Sequence, residues 1–158
     1  MALTTLLSLL LLAQGPCPVE LPDGQSIRGG FSGDPGLPVF TVHNRRTDHA
    51  YVKLEDIATG DTHVFFVRRQ SSVAIDSIVP GSYEVSIAMD GRLGGDCTRL
   101  VQAKSVTRFT APFEFYRRET RYEDGSTGVE IGDNWVELSS ASRDAAGAAP
   151  ITLDRFNR

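Results

Sequence analysis

Residues 72–89 read SVAIDSIVPGSYEVSIAM, and the rest of the chain is organised around them. Val73 and Ile75 alternate with Ala74 and Asp76. Beyond Val79-Pro80-Gly81-Ser82, the apolar Tyr83, Val85, Ile87 and Met89 alternate with Glu84, Ser86 and Ala88. Alternation with period 2 on both sides of a turn signal predicts two half-buried strands joined tightly. Pro80 presets φ at the first central turn position, and Gly81 accepts the positive φ that a type II turn places at the second.

The same period recurs on both flanks. Residues 37–42 (LPVFTV) predict a short strand, with Pro38 confined to its start or to an edge. Residues 43–48 (HNRRTD) are turn chemistry. In residues 50–57 the pattern points Ala50, Val52 and Leu54 inward and Tyr51, Lys53 and Glu55 outward. After a turn at Ala58-Thr59-Gly60-Asp61, residues 62–67 (THVFFV) are apolar on both faces. That strand is predicted to be central, or to have its second face covered by a loop. Residues 90–104 break the alternation with three glycines and Cys97, and loops of this length are usually functional or tethered. Residues 108–116 (RFTAPFEFY) resume it, Phe109, Ala111, Phe113 and Phe115 sharing a face and Pro112 marking an edge or a bulge. After a turn at 124–128, residues 129–138 form a strand with a bulge expected at Gly132-Asp133-Asn134. Residues 139–149 are small and expected to be flexible; Ile151, Leu153 and Phe156 suggest a last short strand or a docked tail. Seven or eight short strands, with no helix beyond the N-terminal segment, predict an all-β, antiparallel β-sandwich over residues 37–158.

At 158 residues the chain is long enough to bury a core without metals. With 41% apolar and 23% charged residues it does not read as disordered. A net charge of −4 argues against nucleic acid as the main partner, because that binding rests on basic patches. Residues 1–15 (MALTTLLSLLLLAQG) carry an apolar run too short to span a membrane. The run fits the core of a secretory signal peptide with Ala13-Gln14-Gly15 as the cleavage site, although no Lys or Arg precedes it; a buried N-terminal helix is the alternative. An exported chain, periplasmic or secreted, is therefore expected, with no transmembrane segment after the leader. Residues 16–36, with four prolines and five glycines, read as a linker or loosely docked arm. Cys17 and Cys97 suit one disulfide in an oxidising compartment, two free thiols being the alternative.

The ordered set Ala50-Tyr51-Val52-Lys53-Leu54, Ala58-Thr59-Gly60, Phe65-Phe66-Val67-Arg68, Pro80-Gly81-Ser82-Tyr83 and Ile151-Thr152-Leu153 with Phe156 resembles a C-terminal module of bacterial envelope proteins. That module is similar in turn to carboxypeptidase-regulatory-like and transthyretin-like sandwich domains. The resemblance implies a sandwich fold and an accessory or binding role, with no activity, catalytic residue or cofactor to carry over. The urate-derived ring-opening enzymes of the transthyretin-like group end in Tyr-Arg-Gly-Ser, whereas this chain ends Arg155-Phe156-Asn157-Arg158.

Chemistry-bearing residues are sparse. His43, His49 and His63 fall in or beside turns and are expected to be solvated, with no third metal ligand in view. No GxSxG is present, and Cys97 lacks the flanks of an activated thiolate. The carboxylate pairs Glu55-Asp56 and Glu123-Asp124 lie at strand ends. Asp90 and Asp96 do not follow the ladder of a calcium loop. The loop residues Asp90, Arg92, Asp96 and Arg99 are the first candidates for contact with an envelope protein or glycan. The doublets Arg45-Arg46, Arg68-Arg69 and Arg117-Arg118 guard strand ends; where two of them share a rim, they could cradle an anion. Two other roles stand beside a binding module. One is a structural or adhesive domain, with Lys53 or Lys104 linked to Asn134 by an isopeptide bond. The other is a hydrolase whose His meets an Asp or Cys in a concave site.

Overall fold

A computed structural model describes residues 17–139 and 147–158. The leader, and most of the small-residue segment 139–149, lie outside the described residues. Within them the chain is a β-sandwich of two sheets, with a third layer laid on the outer face of the larger one.

The larger sheet begins with β1 (Ser26–Arg28), β4 (Thr62–Val67), β3 (Ala50–Asp56) and β6 (Gly81–Met89), neighbours in that order. The far side of β6 is shared. Its first residues pair with β10 (Phe113–Arg121), which continues to β11 (Thr127–Gly132). Its last pair with β9 (Ser105–Phe109), which continues to β13 (Ala148–Pro150). The smaller sheet has the order β12 (Asn134–Leu138), β2 (Phe40–Asn44), β5 (Ser71–Ile75). Every ladder is antiparallel except β12 on β2, which is parallel with Asn134 opposite Phe40 and Leu138 opposite Asn44. A two-stranded hairpin, β7 (Arg92–Leu93) with β8 (Leu100–Gln102), and a terminal helix α1 (Leu153–Asn157) complete the set.

The alternating residues do what their period demands. Phe40 and Val42, Val52 and Leu54, Phe65 and Val67, and Val85 and Ile87 face one another between the sheets, each at most 3% exposed. Burying each such side chain is worth about 1.5–3 kcal/mol.

The two strands of residues 72–89 form no hairpin. β5 pairs with β2 in one sheet, and β6 pairs with β3 and the shared strands of the other. The connection crosses the core, burying Ile78 completely, and its positive φ falls on Ser77 (62°) rather than on Gly81. Residues 129–138 behave alike: instead of a bulge, Asp133 marks a change of sheet, leaving β11 in one and β12 in the other. Residues 108–116 split at Pro112 into β9 and β10, both laid along β6. These partitions, with the short β1, β7, β8 and β13, raise the count to thirteen strands among the described residues.

The second face of the larger sheet is also buried. Tyr51, Val64, Phe66 and Ala88 pack beneath Leu93, Leu100 and Phe156. Tyr51 and Lys53, expected outward, are each 1% exposed because the arm, the β7–β8 hairpin and α1 cover them. The expectation that residues 62–67 have a covered second face holds for this reason. The arm is docked: β1 pairs with β4, the Gly24 N–H donates to Phe66 O (2.8 Å), and Asp23 accepts from Arg68 N (2.6 Å). Cys17 is disulfide-bonded to Cys97, their Cα atoms 5.6 Å apart. The terminal residues form a helical tail, not a strand: Thr152 caps α1 by accepting from Arg155 N (3.2 Å), and Phe156 is 1% exposed.

Candidate functional site

The loop at residues 90–104 is built rather than loose. The β7–β8 ladder closes it, the disulfide at Cys97 ties its tip to the arm, and α1 clamps its return strand. In that clamp Leu100 N donates to Asn157 Oδ1 (3.0 Å), and Asn157 Nδ2 donates back to Leu100 O (2.8 Å). Asp96 accepts from Thr98 N (3.1 Å), and its neighbours' N–H groups hold its carboxyl below the usual range. Asp90, Arg92, Asp96 and Arg99 are all exposed on this frame. Asp90 lies 3.8 Å from His49 Nδ1, and His49 Nε2 donates to Gly91 O (2.8 Å), so this histidine braces the start of the loop.

Two arginine doublets share one end of the sandwich. The β2–β3 turn carries Arg45 and Arg46, and the β4–β5 turn carries Arg68 and Arg69. Gln70 N donates to Arg46 O (3.0 Å), and the buried Asn44 amide donates to Asp48 O and Arg68 O (both 2.9 Å). Arg45 faces Glu137 (3.7 Å), while Arg68 and Arg69 face Glu20 (3.8 and 3.3 Å). Such exposed pairs are worth at most about 1 kcal/mol, so the guanidinium groups of Arg45, Arg68 and Arg69 remain exchangeable, whereas Arg46 is half-buried and donates to Ser139 O (3.5 Å). Arg117 and Arg118 lie within β10, not at its end. Arg117 pairs with Glu119 (2.6 Å), and Arg118 stacks on the Tyr116 ring at 4.6 Å.

The expectation of three solvated histidines fails at His49, whose side chain is 12% exposed against Tyr51 and Phe66, and fails further at His63. It is 7% exposed, and neither ring nitrogen has a hydrogen-bond partner. Leaving such a group unpaired costs about 1–3 kcal/mol. Burial pushes its pKa down to about 4, so the ring is neutral at pH 7. It sits between Phe31 and Phe65, ring centroids 4.7 and 5.5 Å away, and lines two clefts of about 550 Å³. No hydrogen bond links His63 to Asp56 or Asp61 in the shared cleft, so no catalytic dyad forms there. Among the described residues, no group of three metal-ligating side chains comes together. The cleft was missed in the sequence because an isolated Phe31 among glycines carries no period.

Lys53 and Asn134 lie in different layers. Lys53 Nζ pairs with Glu55 (2.7 Å) beneath the cap, Asn134 Nδ2 donates to Glu114 O (2.7 Å), and Lys104 pairs with Asp48 (2.7 Å). Neither lysine is placed for an isopeptide bond. Glu55 is no solvated strand-end carboxylate, being 22% exposed. It faces Glu84 across the β3–β6 ladder, a like-charge pairing relieved by Arg155 at 3.6 and 3.3 Å from the two. Trp135, on the edge strand β12, is 66% exposed and has His43 as its ring neighbour at 6.2 Å.

No helix among the described residues is long and apolar enough to cross a membrane. Compared with known proteins, the chain matches no family, no curated protein and no solved structure.

Proposed function

We propose that this chain is an exported, non-catalytic recognition module of the transthyretin-like and carboxypeptidase-regulatory-like kind, binding an envelope protein or glycan through the loop at residues 90–104. The observation that carries this reading is the three-sided anchoring of the loop by ladder, disulfide and Asn157. A loop held in one conformation loses little entropy when a partner docks, so its exposed Asp90, Arg92, Asp96 and Arg99 can be spent on recognition. The Cys17–Cys97 bond supports export, since such bonds persist in oxidising compartments.

The test is a triple replacement, Arg92→Ala with Asp96→Ala and Arg99→Ala, in chain purified with its disulfide intact. Capture of the envelope partner should fall at least tenfold, about 1.4 kcal/mol. Unchanged capture would rule the loop out.

A second reading has one observation in its favour, the gathering of Arg45, Arg46, Arg68 and Arg69 on a single rim. On it, an anionic glycan or lipid headgroup displaces Glu20 and Glu137 and takes bidentate contacts. Retention on dextran sulfate that falls with salt and disappears in the fourfold Arg→Gln variant supports it; salt-independent retention would exclude it.

A further inference from the structure

One lateral opening of the sandwich, between β4 and β5, is crossed by the arm. Residues 30–35 leave β1 at Gly29 and are tied again where Ser77 Oγ donates to Asp34 O (3.1 Å). Phe31 is the single apolar side chain of that crossing. Its ring stands edge-on to His63 at 4.7 Å and to Tyr83 at 6.2 Å. A cleft opens on either side of it. One is lined by Asp56, Asp61, Val79 and Tyr83, the other by Asp23, Ser72 and Asp76, while Phe31 and His63 line both. Neither cleft has a lysine or arginine in its lining.

We propose that these two clefts are one binding site for a small organic cation, an alkyl- or arylalkyl-ammonium, whose apolar body takes the place of the Phe31 ring and whose N–H group meets His63. Three features converge on that chemistry. Carboxylates without a basic neighbour in the lining repel anions and attract an ammonium group. Tyr83 and Val79, with the space vacated by the Phe31 ring, offer the apolar and π surface that the body of such a cation needs. The neutral imidazole of His63 has an unspent lone pair to accept an ammonium proton, and nothing in the protein uses it.

Phe31 is the stopper of this site. It shields the ring nitrogens, so a ligand reaches His63 only with that side chain turned aside. The arm is made for this movement. Gly29, with φ of 70°, is pinned against Thr62, whereas the Cα positions of Gly30 and Gly33 face open space. The arm therefore hinges beyond Gly29 while β1 stays paired. This inference is independent of the loop at residues 90–104, none of which lines either cleft.

The experiment is an NMR titration of the disulfide-intact chain at pH 7 with phenethylammonium chloride, and with phenethyl alcohol as its uncharged counterpart. Saturable shifts at His63 and Phe31 are expected with the ammonium, and binding at least tenfold weaker with the alcohol. In Asp56→Asn with Asp61→Asn the ammonium should weaken at least tenfold, and in His63→Phe, which keeps the ring volume, it should be lost. Phe31→Ala should tighten binding, because the stopper no longer competes. Equal binding of alcohol and ammonium, or no saturable shift up to ~10 mM, overturns the proposal on the unaltered chain alone. Loss of binding in Phe31→Ala overturns the displacement of the stopper.

Discussion

His63 is buried with both ring nitrogens unpaired, and acidity should expose that. Its pKa is about 4 when folded and 6.5 in an ordinary setting. The folded state therefore holds fewer protons than the unfolded chain between these values, and stability is complete above pH 6.5. It declines as pH falls, by about 2–3 kcal/mol at pH 4, at 1.36 kcal/mol per unit. Denaturant midpoints measured from pH 7 to pH 4 should show the decline, and His63→Phe should flatten it; identical profiles for the two chains would refute the assignment. Lys53 offers a second residue-level test. Its side chain is 2% exposed and depends on Glu55 for its counter-charge. Glu55→Gln should cost about 2–3 kcal/mol by leaving a buried cation unpaired, whereas Lys53→Met should change stability by under about 1 kcal/mol. Urea unfolding of the pair decides it: a larger loss in the methionine variant would contradict the reading. Neither burial was legible locally. Lys53 stands in the polar phase of its strand, which a period-2 pattern assigns to water unless something distant covers it, and His63 shares the face of Phe65 and Val67 but sits beside a turn, where solvation is the local expectation.

The elements divide by how they declare themselves. β2, β3, β6 and β12 alternate clearly, and their apolar phase forms the core between the sheets, whereas β4 is apolar on both faces. The arm, the β7–β8 hairpin and α1 have strands of two or three residues or a helix of five, too short to show any period. Yet together they build the second core. Arg28 on β1 donates to the Phe156 carbonyl (3.3 Å), and Asn157 holds β8, so each of these elements needs the other two. Phe156→Ala should then cost about 3 kcal/mol although it lies two residues from the chain's last position. Gly29→Ala should cost at least about 2 kcal/mol, because a Cβ would fall 1.8 Å from Thr62 O at a φ of 70°. Limited proteolysis reads both: each variant should be cut faster within residues 17–36, and an arm as resistant as in the unaltered chain would show that the layers are not coupled.

For the whole molecule the Cys17–Cys97 bond is a covalent constraint, closing 80 residues of separation. Constraining the unfolded chain in this way is worth about 2–4 kcal/mol. Cys97→Ser should accordingly lower Tm by roughly 5–15 °C for a chain of this size. Scanning calorimetry with and without reductant measures it, and an unchanged Tm would mean that the cap layer is held without the bond. The bond also joins two segments that local sequence reading leaves as linker and loop. By itself the sequence determined the all-β class, the position of most strands and which face of each meets the core. All of these follow from a side-chain alternation confined to five or six neighbouring residues. Only the tertiary structure decided that residues 72–89 cross between sheets, that β12 lies parallel to β2, and that the outer face of β3 and β4 is buried. Those outcomes depend on which distant strand supplies the hydrogen bonds and which segment covers the face. A period of two is the same whichever partner is chosen.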